Sequence, residues 1–206
     1  MGLSKIDICN QALLKIGADT IASLDTAQAT DDGVIRSAKL CNILFDTALD
    51  EVLRLYPWNC CMRRAKLVRL AEVPAFKYDF KYQLPNDCVR VINVYETKQA
   101  YDDAQEWVVE ARTVLSNSES LFLKYVGQPD DIRNMDSLSV KALICALAIK
   151  LSTPLQLDTK LTNNLIQELE QVILPQARSI DTFENKELAL EESYWITSRN
   201  YDSPLI

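Results

Sequence analysis

Apolar positions recur at steps of three and four near both ends of the chain, and between them the period drops to two. Ser4, with Asp7 three residues later, reads as a capped helix start, and Gly17 stands where a left-handed stop belongs, which predicts a helix over about 5–16. Val34, Ala38, Cys41, Phe45, Ala48, Val52 and Leu55 line one face of a second helix over about 32–56, which Pro57 ends. Then Phe76, Tyr78, Phe80 and Tyr82 alternate with Lys77, Asp79 and Lys81, the signature of a half-buried strand. Further strands are expected at 88–95, 107–109 and 121–126, separated by polar turns.

Helical spacing resumes at Asp136, a candidate N-cap, and 138–151 is apolar nearly all round, as expected of a helix touching neighbours on several sides. Asp158 can cap a long helix bearing Leu161, Leu165, Leu169, Val172, Ile173, Ala177 and Ile180. Pro175 lies inside it, with no amide proton and a ring that clashes one turn back at Gln171, so a bend or break is expected there. Asp181 with Glu184 can start a further short helix, to about 192. The expected fold class is mainly α: a discontinuous helical bundle (1–62 and 127–192), a small antiparallel β-sheet inserted at 63–126, and an extended C-terminal arm at 193–206. The arm holds Tyr194, Trp195, Ile196, Tyr201, Pro204, Leu205 and Ile206 without periodicity. So many large apolar groups predict ordering on a partner surface, the alternative being a segment folded back on its own core.

Composition narrows the chemistry. With 206 residues, 48% of them hydrophobic, the chain can bury one core or a core plus a small insertion. No stretch has the roughly eighteen uncharged apolar residues of a membrane span, and the N-terminus lacks a signal peptide's basic flank and apolar run, so a soluble product of the cytoplasm is expected. The six cysteines form no CxxC pair and read as reduced, buried thiols; no metal and no cofactor are assigned. The absence of histidine removes the commonest general base and every Ser-His or Cys-His pair. A net charge of −7 argues against a dedicated nucleic-acid binder.

Three stretches together resemble a known family, the tail tubular protein A of short-tailed phages and related head-to-tail adaptors. In 53–67 (LRLYPWNCCMRRAKL) a helix ends at Pro57-Trp58-Asn59 and leads into a strand with paired Arg63 and Arg64. In 74–94 the aromatic alternation AFKYDFKYQLP precedes Asn86-Asp87-Cys88-Val89-Arg90-Val91, and in 125–157 YVGQPDD leads into the Ala-rich helix and LSTPLQL. Their order and spacing match the family over nearly the whole chain, with Cys60-Cys61 a departure where relatives tend to carry an aromatic and a small residue.

The resemblance implies a non-enzymatic virion protein of the tail or neck, assembled in the host cytoplasm. It would form a ring of about twelve copies between the portal protein and a tail nozzle or tail tube protein, with DNA passing through unbound by sequence and no membrane involved. On this reading the arm residues Tyr194, Trp195, Arg199, Tyr201, Leu205 and Ile206 are candidates for the portal contact, and Tyr78, Lys81, Tyr82 and Arg90 for the tail or a neighbour. Carboxylates among Asp31, Asp32, Asp102, Asp103, Glu168, Glu170, Glu191 and Glu192 could line the bore and repel phosphates, or simply keep loops and helices solvated. Three alternatives stay open: a virion-associated peptidoglycan hydrolase working through two carboxylates, a neck or completion protein of a long-tailed phage, and an oligomerisation module unrelated to phages.

Overall fold

A computed structural model describes residues 2–25, 31–98, 106–155 and 158–184. Helix α1 (Lys5–Lys15) starts at a reciprocal capping box in which the Ser4 hydroxyl accepts from the Asp7 amide and the Asp7 carboxylate accepts from the Ser4 amide. It stops where Gly17 takes φ +74° and the Ala18 amide reaches back to the Leu13 carbonyl. Helix α2 (Asp32–Leu55) is capped by Asp31, whose carboxylate accepts from the amides of Gly33 and Val34. Asp136 and Asp158 do the same for α3 (Ser137–Ser152) and α4 (Thr159–Glu168).

Buried residues lie all round α3, among them Val140, Ala142, Leu143, Cys145, Leu147 and Leu151, and α1, α2 and α4 pack on it. After α4 the chain passes through a π-helical turn, Leu169–Ile173, into α5 (Leu174–Glu184). The turn surrounds Gln171, the residue whose carbonyl Pro175 cannot pair, so the widened ring relieves the proline clash without ending the helix. No separate helix starts at Asp181, because α5 runs through it to Glu184.

Seven strands are present among the described residues: β1 (Met62–Lys66), β2 (Val68–Arg69), β3 (Phe80–Gln83), β4 (Cys88–Tyr95), β5 (Trp107–Glu110), β6 (Thr113–Ser116) and β7 (Phe122–Gly127). They form two antiparallel sheets, one of three strands in the order β1-β7-β4 and one of four in the order β2-β3-β6-β5. Leu67, Tyr82, Val94, Val114, Leu121, Leu123 and Tyr125 fill the space between the sheets as a second core, separate from that of the helices. The other face of the first sheet sits against α2, where Val126, Met62, Val89 and Ile92 join the helical core.

The expectation of a mainly-α bundle with a small inserted sheet is therefore corrected. Among the described residues helix accounts for about 48% and strand for 20%, and the two sheets with their own core make an α+β fold. The underestimate has a local source. Strand β6 escaped notice because its four residues, TVLS, are all buried and show no alternation. The 76–82 alternation, in contrast, is strand only over Phe80–Gln83. The arm expected at 193–206 lies outside the described residues.

Hydrogen bonds and ion pairs surround the junction of helices and sheets. Trp58 is buried and donates its indole N–H to the Val52 carbonyl at 2.9 Å, folding the chain back at the end of α2. Arg90 on β4 donates to the Arg54 carbonyl (3.0 Å), and Arg54 in turn donates to the Val89 carbonyl (3.3 Å), so a cation completes the helix C-terminus. Arg63 on β1 pairs with Asp87 and Asp130, each at 2.9 Å, beside Gly127. A Cβ on Gly127 would meet the Arg63 side chain and the Asp87 carboxylate at 2.7 Å, so a side chain there would displace this ion pair.

Candidate interaction surface

The four-stranded sheet points away from the helices, and the segment between β2 and β3 folds over its outer face. The Leu70 amide bonds to the Lys81 carbonyl and extends the ladder by one rung. Beyond it the chain turns outward through Glu72, Val73 and Pro74, whose missing amide suits it to leaving a sheet. At Lys77 φ is +71°, and the Tyr78 amide bonds to the Phe76 carbonyl at 2.9 Å. That combination is the rare, strained form of the γ-turn.

Three attachments hold the strained turn. The Tyr78 side chain is buried against the sheet. Lys77 pairs with Glu106 at 2.8 Å, which raises its pKa, with the adjacent Tyr78 contributing. The Asp79 amide donates to the Asn117 side chain at 2.9 Å. The consequence is that Phe76 is lifted off the sheet and is 82% exposed, with Val73 65% exposed beside it. Between segment and sheet lies a cleft of about 490 Å³ lined by Val73, Phe76, Tyr78, Val108 and Leu115, with Lys81 and its 2.8 Å partner Glu72 at the rim. A fixed aromatic at an apolar cleft with a charged rim has the form of a protein-contact hot spot.

Of the four residues expected to meet the tail or a neighbour, Tyr78 and Lys81 come together at this cleft. Tyr82 does not: it lies on the opposite face of β3, wholly inside the inter-sheet core, and donates its hydroxyl proton to the Ser118 carbonyl. Burial raises its pKa. Arg90 sits on the other sheet, occupied at the end of α2. Sequence reasoning passed over Phe76 and Val73 as contact residues. The Pro74 break was a signal that the strand starts late, but no residue type marks Lys77 as left-handed. Tyr194, Trp195, Arg199, Tyr201, Leu205 and Ile206 lie outside the described residues.

All six thiols are free; five are buried and Cys60 is exposed, a correction to the expectation of uniformly buried thiols. Cys60 stands 3.8 Å from the Cys61 sulfur and 3.2 Å from the Asp136 carboxylate, and the hydrogen bond from Cys61 lowers its pKa. Among the described residues no group of three or more His, Cys, Asp or Glu side chains could hold a metal ion. Nor is any helix there long and apolar enough to cross a membrane. Of the acidic residues proposed for a bore, Asp31 caps α2 and Glu168 pairs with Lys15 at 2.7 Å, so both have structural work within the chain. No protein-family model matches the chain, and no curated protein matches it in sequence.

Proposed function

We propose that the chain is a structural subunit of a phage particle, a head-to-tail adaptor that assembles into a ring of about twelve copies and joins the portal to the tail while DNA passes through the bore. The observation that carries this reading is the exposed Phe76–Val73 surface, which gives a protein with no assigned chemistry an apolar contact beside the cleft. The phage context rests on the resemblance in 53–67, 74–94 and 125–157, which places the helix-to-strand turn at Trp58 and the β3–β4 segment within the matching stretches.

In such a ring each subunit makes two heterologous lateral contacts, and docking of the whole ring is multivalent, so modest contacts per subunit add to a stable joint. Phe76 and Val73 then face the tail component. Phe76→Asp tests that assignment: it removes an exposed side chain, so the thermal unfolding midpoint stays unchanged. Binding of the tail component to each subunit weakens on the order of 2 kcal/mol, roughly thirty-fold. Unchanged tail binding by the folded variant would remove this surface from the proposal.

A further inference from the structure

The first sheet carries a surface that the adaptor reading does not use. Across β1 and β7 the register sets Arg64 opposite Lys124 and Lys66 opposite Phe122; across β7 and β4 it sets Lys124 opposite Asn93 and Phe122 opposite Tyr95. Directly opposed residues share a face. The reverse face, with Ala65, Leu123 and Tyr125, closes the inter-sheet core; on this face Met62 and Val126 pack into the helical core at one end, and beyond them Arg64 and Lys66 are exposed and Lys124, Phe122 and Tyr95 half-buried. Thr97 and Lys98, just past β4, complete a cleft of about 410 Å³.

Among the described residues the lining of this cleft holds four cations and two aromatic rings and no carboxylate, in a chain with 29 acidic and 22 basic residues. Among the described residues, none of the eight ion pairs uses Arg64, Lys66, Lys98 or Lys124. Arg64 directly opposite Lys124 is a like-charge pair that costs stability, and neither residue has an ion-pair partner among the described residues. Lys66 rests over the Phe122 ring at 5.8 Å, placing a cation and a π-face side by side.

The cations are distributed, not convergent: Arg64 and Lys66 are two residues apart on β1, about 6.6 Å at strand rise, with Lys124 one strand over. A single small anion would need them gathered at one point. A run of phosphates with flat bases between them matches both the spacing and the rings, whereas an acidic peptide would leave Tyr95 and Phe122 unused. We propose that this face binds single-stranded nucleic acid without sequence preference, its phosphates on Arg64, Lys66, Lys98 and Lys124 and its bases against Tyr95 and Phe122. The net charge of −7 argues against a dedicated nucleic-acid binder for the molecule as a whole, and the local cluster overrides it over one cleft only. This inference stands apart from the adaptor reading, and either can fail without the other.

The test is fluorescence anisotropy of a labelled oligothymidylate of about twenty nucleotides with the full chain at low salt. Binding is expected with a dissociation constant on the order of 10⁻⁵ M and a log–log salt slope near −2.8, about 0.7 for each of four phosphates. Arg64→Glu with Lys124→Glu weakens binding at least about ten-fold and lowers the slope to about −1.4. Tyr95→Ala weakens it about five-fold or more with the slope unchanged. The exposed pair Lys39→Glu with Lys160→Glu makes the same change in net charge and leaves affinity within about two-fold. Absence of binding, equal loss in that control pair, no effect of Tyr95→Ala, or displacement by polyglutamate as readily as by oligothymidylate would each overturn the proposal, the last in favour of an acidic protein partner. Preference for a duplex over the single strand would overturn it too. Should the double charge reversal unfold the protein, Arg64→Gln and Lys124→Gln singly carry the same measurement, each lowering the slope by about 0.7.

Discussion

At the scale of single residues, the informative positions are those where local chemistry and local geometry disagree. Lys77 adopts a conformation that costs an L-residue roughly 1–2 kcal/mol, and the protein keeps it through an ion pair to Glu106 and the burial of Tyr78. The outcome of that strain is an exposed Phe76, so strain and candidate contact belong to one device. Asp7 shows the reverse case, in which geometry serves chemistry. Hydrogen bonds from the Ser4 hydroxyl and amide hold its carboxyl below the ordinary 3.8. Folding therefore favours the carboxylate: the contribution is complete above the unfolded value and is lost as pH falls through the lower folded one. Between about pH 5 and 2 the melting temperature of Asp7→Asn should fall less steeply than that of the parent protein, and parallel curves would show that the capping box is energetically silent. The thiols separate as clearly. Cys60 is exposed and its thiolate is favoured by Cys61, while burial pushes Cys88 up and Cys145 to about 11. A thiol-exchange reagent should label one cysteine per native chain, removed by Cys60→Ser, and all six only after denaturation. Fast labelling of a second thiol in the folded protein would mean that the helical core opens, or the inter-sheet core if that thiol is Cys88.

Among the elements, the β5–β6 hairpin is the least expected. It turns through Ala111 and Arg112, both at positive φ (43° and 61°), where two-residue hairpins favour Asn-Gly. Arg112 is retained by its contacts: its guanidinium donates to the Pro85 and Asn86 carbonyls, and its own carbonyl accepts from the Leu84 amide. Ala111 has no such role, so Ala111→Asn should stabilise the protein by about 0.5–1 kcal/mol in chemical denaturation, and a destabilised variant would show that the turn is not strained there. The same turn explains why β6 was illegible in the sequence: without Gly or Asn to mark the hairpin, a fully buried TVLS resembles any short apolar run. Helix starts were legible because capping is chemistry within three residues, as at Ser4–Asp7, Asp136 and Asp158. Pro175 announced its irregularity for the same reason, and the π turn at Leu169–Ile173 answers it. The number and stacking of the sheets were not legible, since that depends on which strand faces meet across a core. The candidate surface was half legible: Tyr78 and Lys81 were named from the sequence, while Phe76, its most exposed aromatic, was assigned to a strand that begins only at Phe80.

For the whole molecule, the division into two cores organises everything else. The helices enclose one, the stacked sheets the other, and the hydrogen bonds from Arg90 to the Arg54 carbonyl and from Arg54 to the Val89 carbonyl tie them at the end of α2. In the adaptor proposal the sheet unit presents Phe76 to a partner while the helices meet lateral neighbours, and repetition around a ring multiplies each contact. The separate basic face on the first sheet lies on a different surface of the same unit, so contact with a tail component and contact with nucleic acid need not compete. Ring formation on a portal is the central claim, and electron microscopy of the full chain mixed with a purified phage portal ring measures it most directly. The account predicts an added annular layer of about twelve subunits coaxial with the portal. Portal rings that remain bare at saturating concentrations of the folded protein, across portals of short-tailed phages, would contradict it.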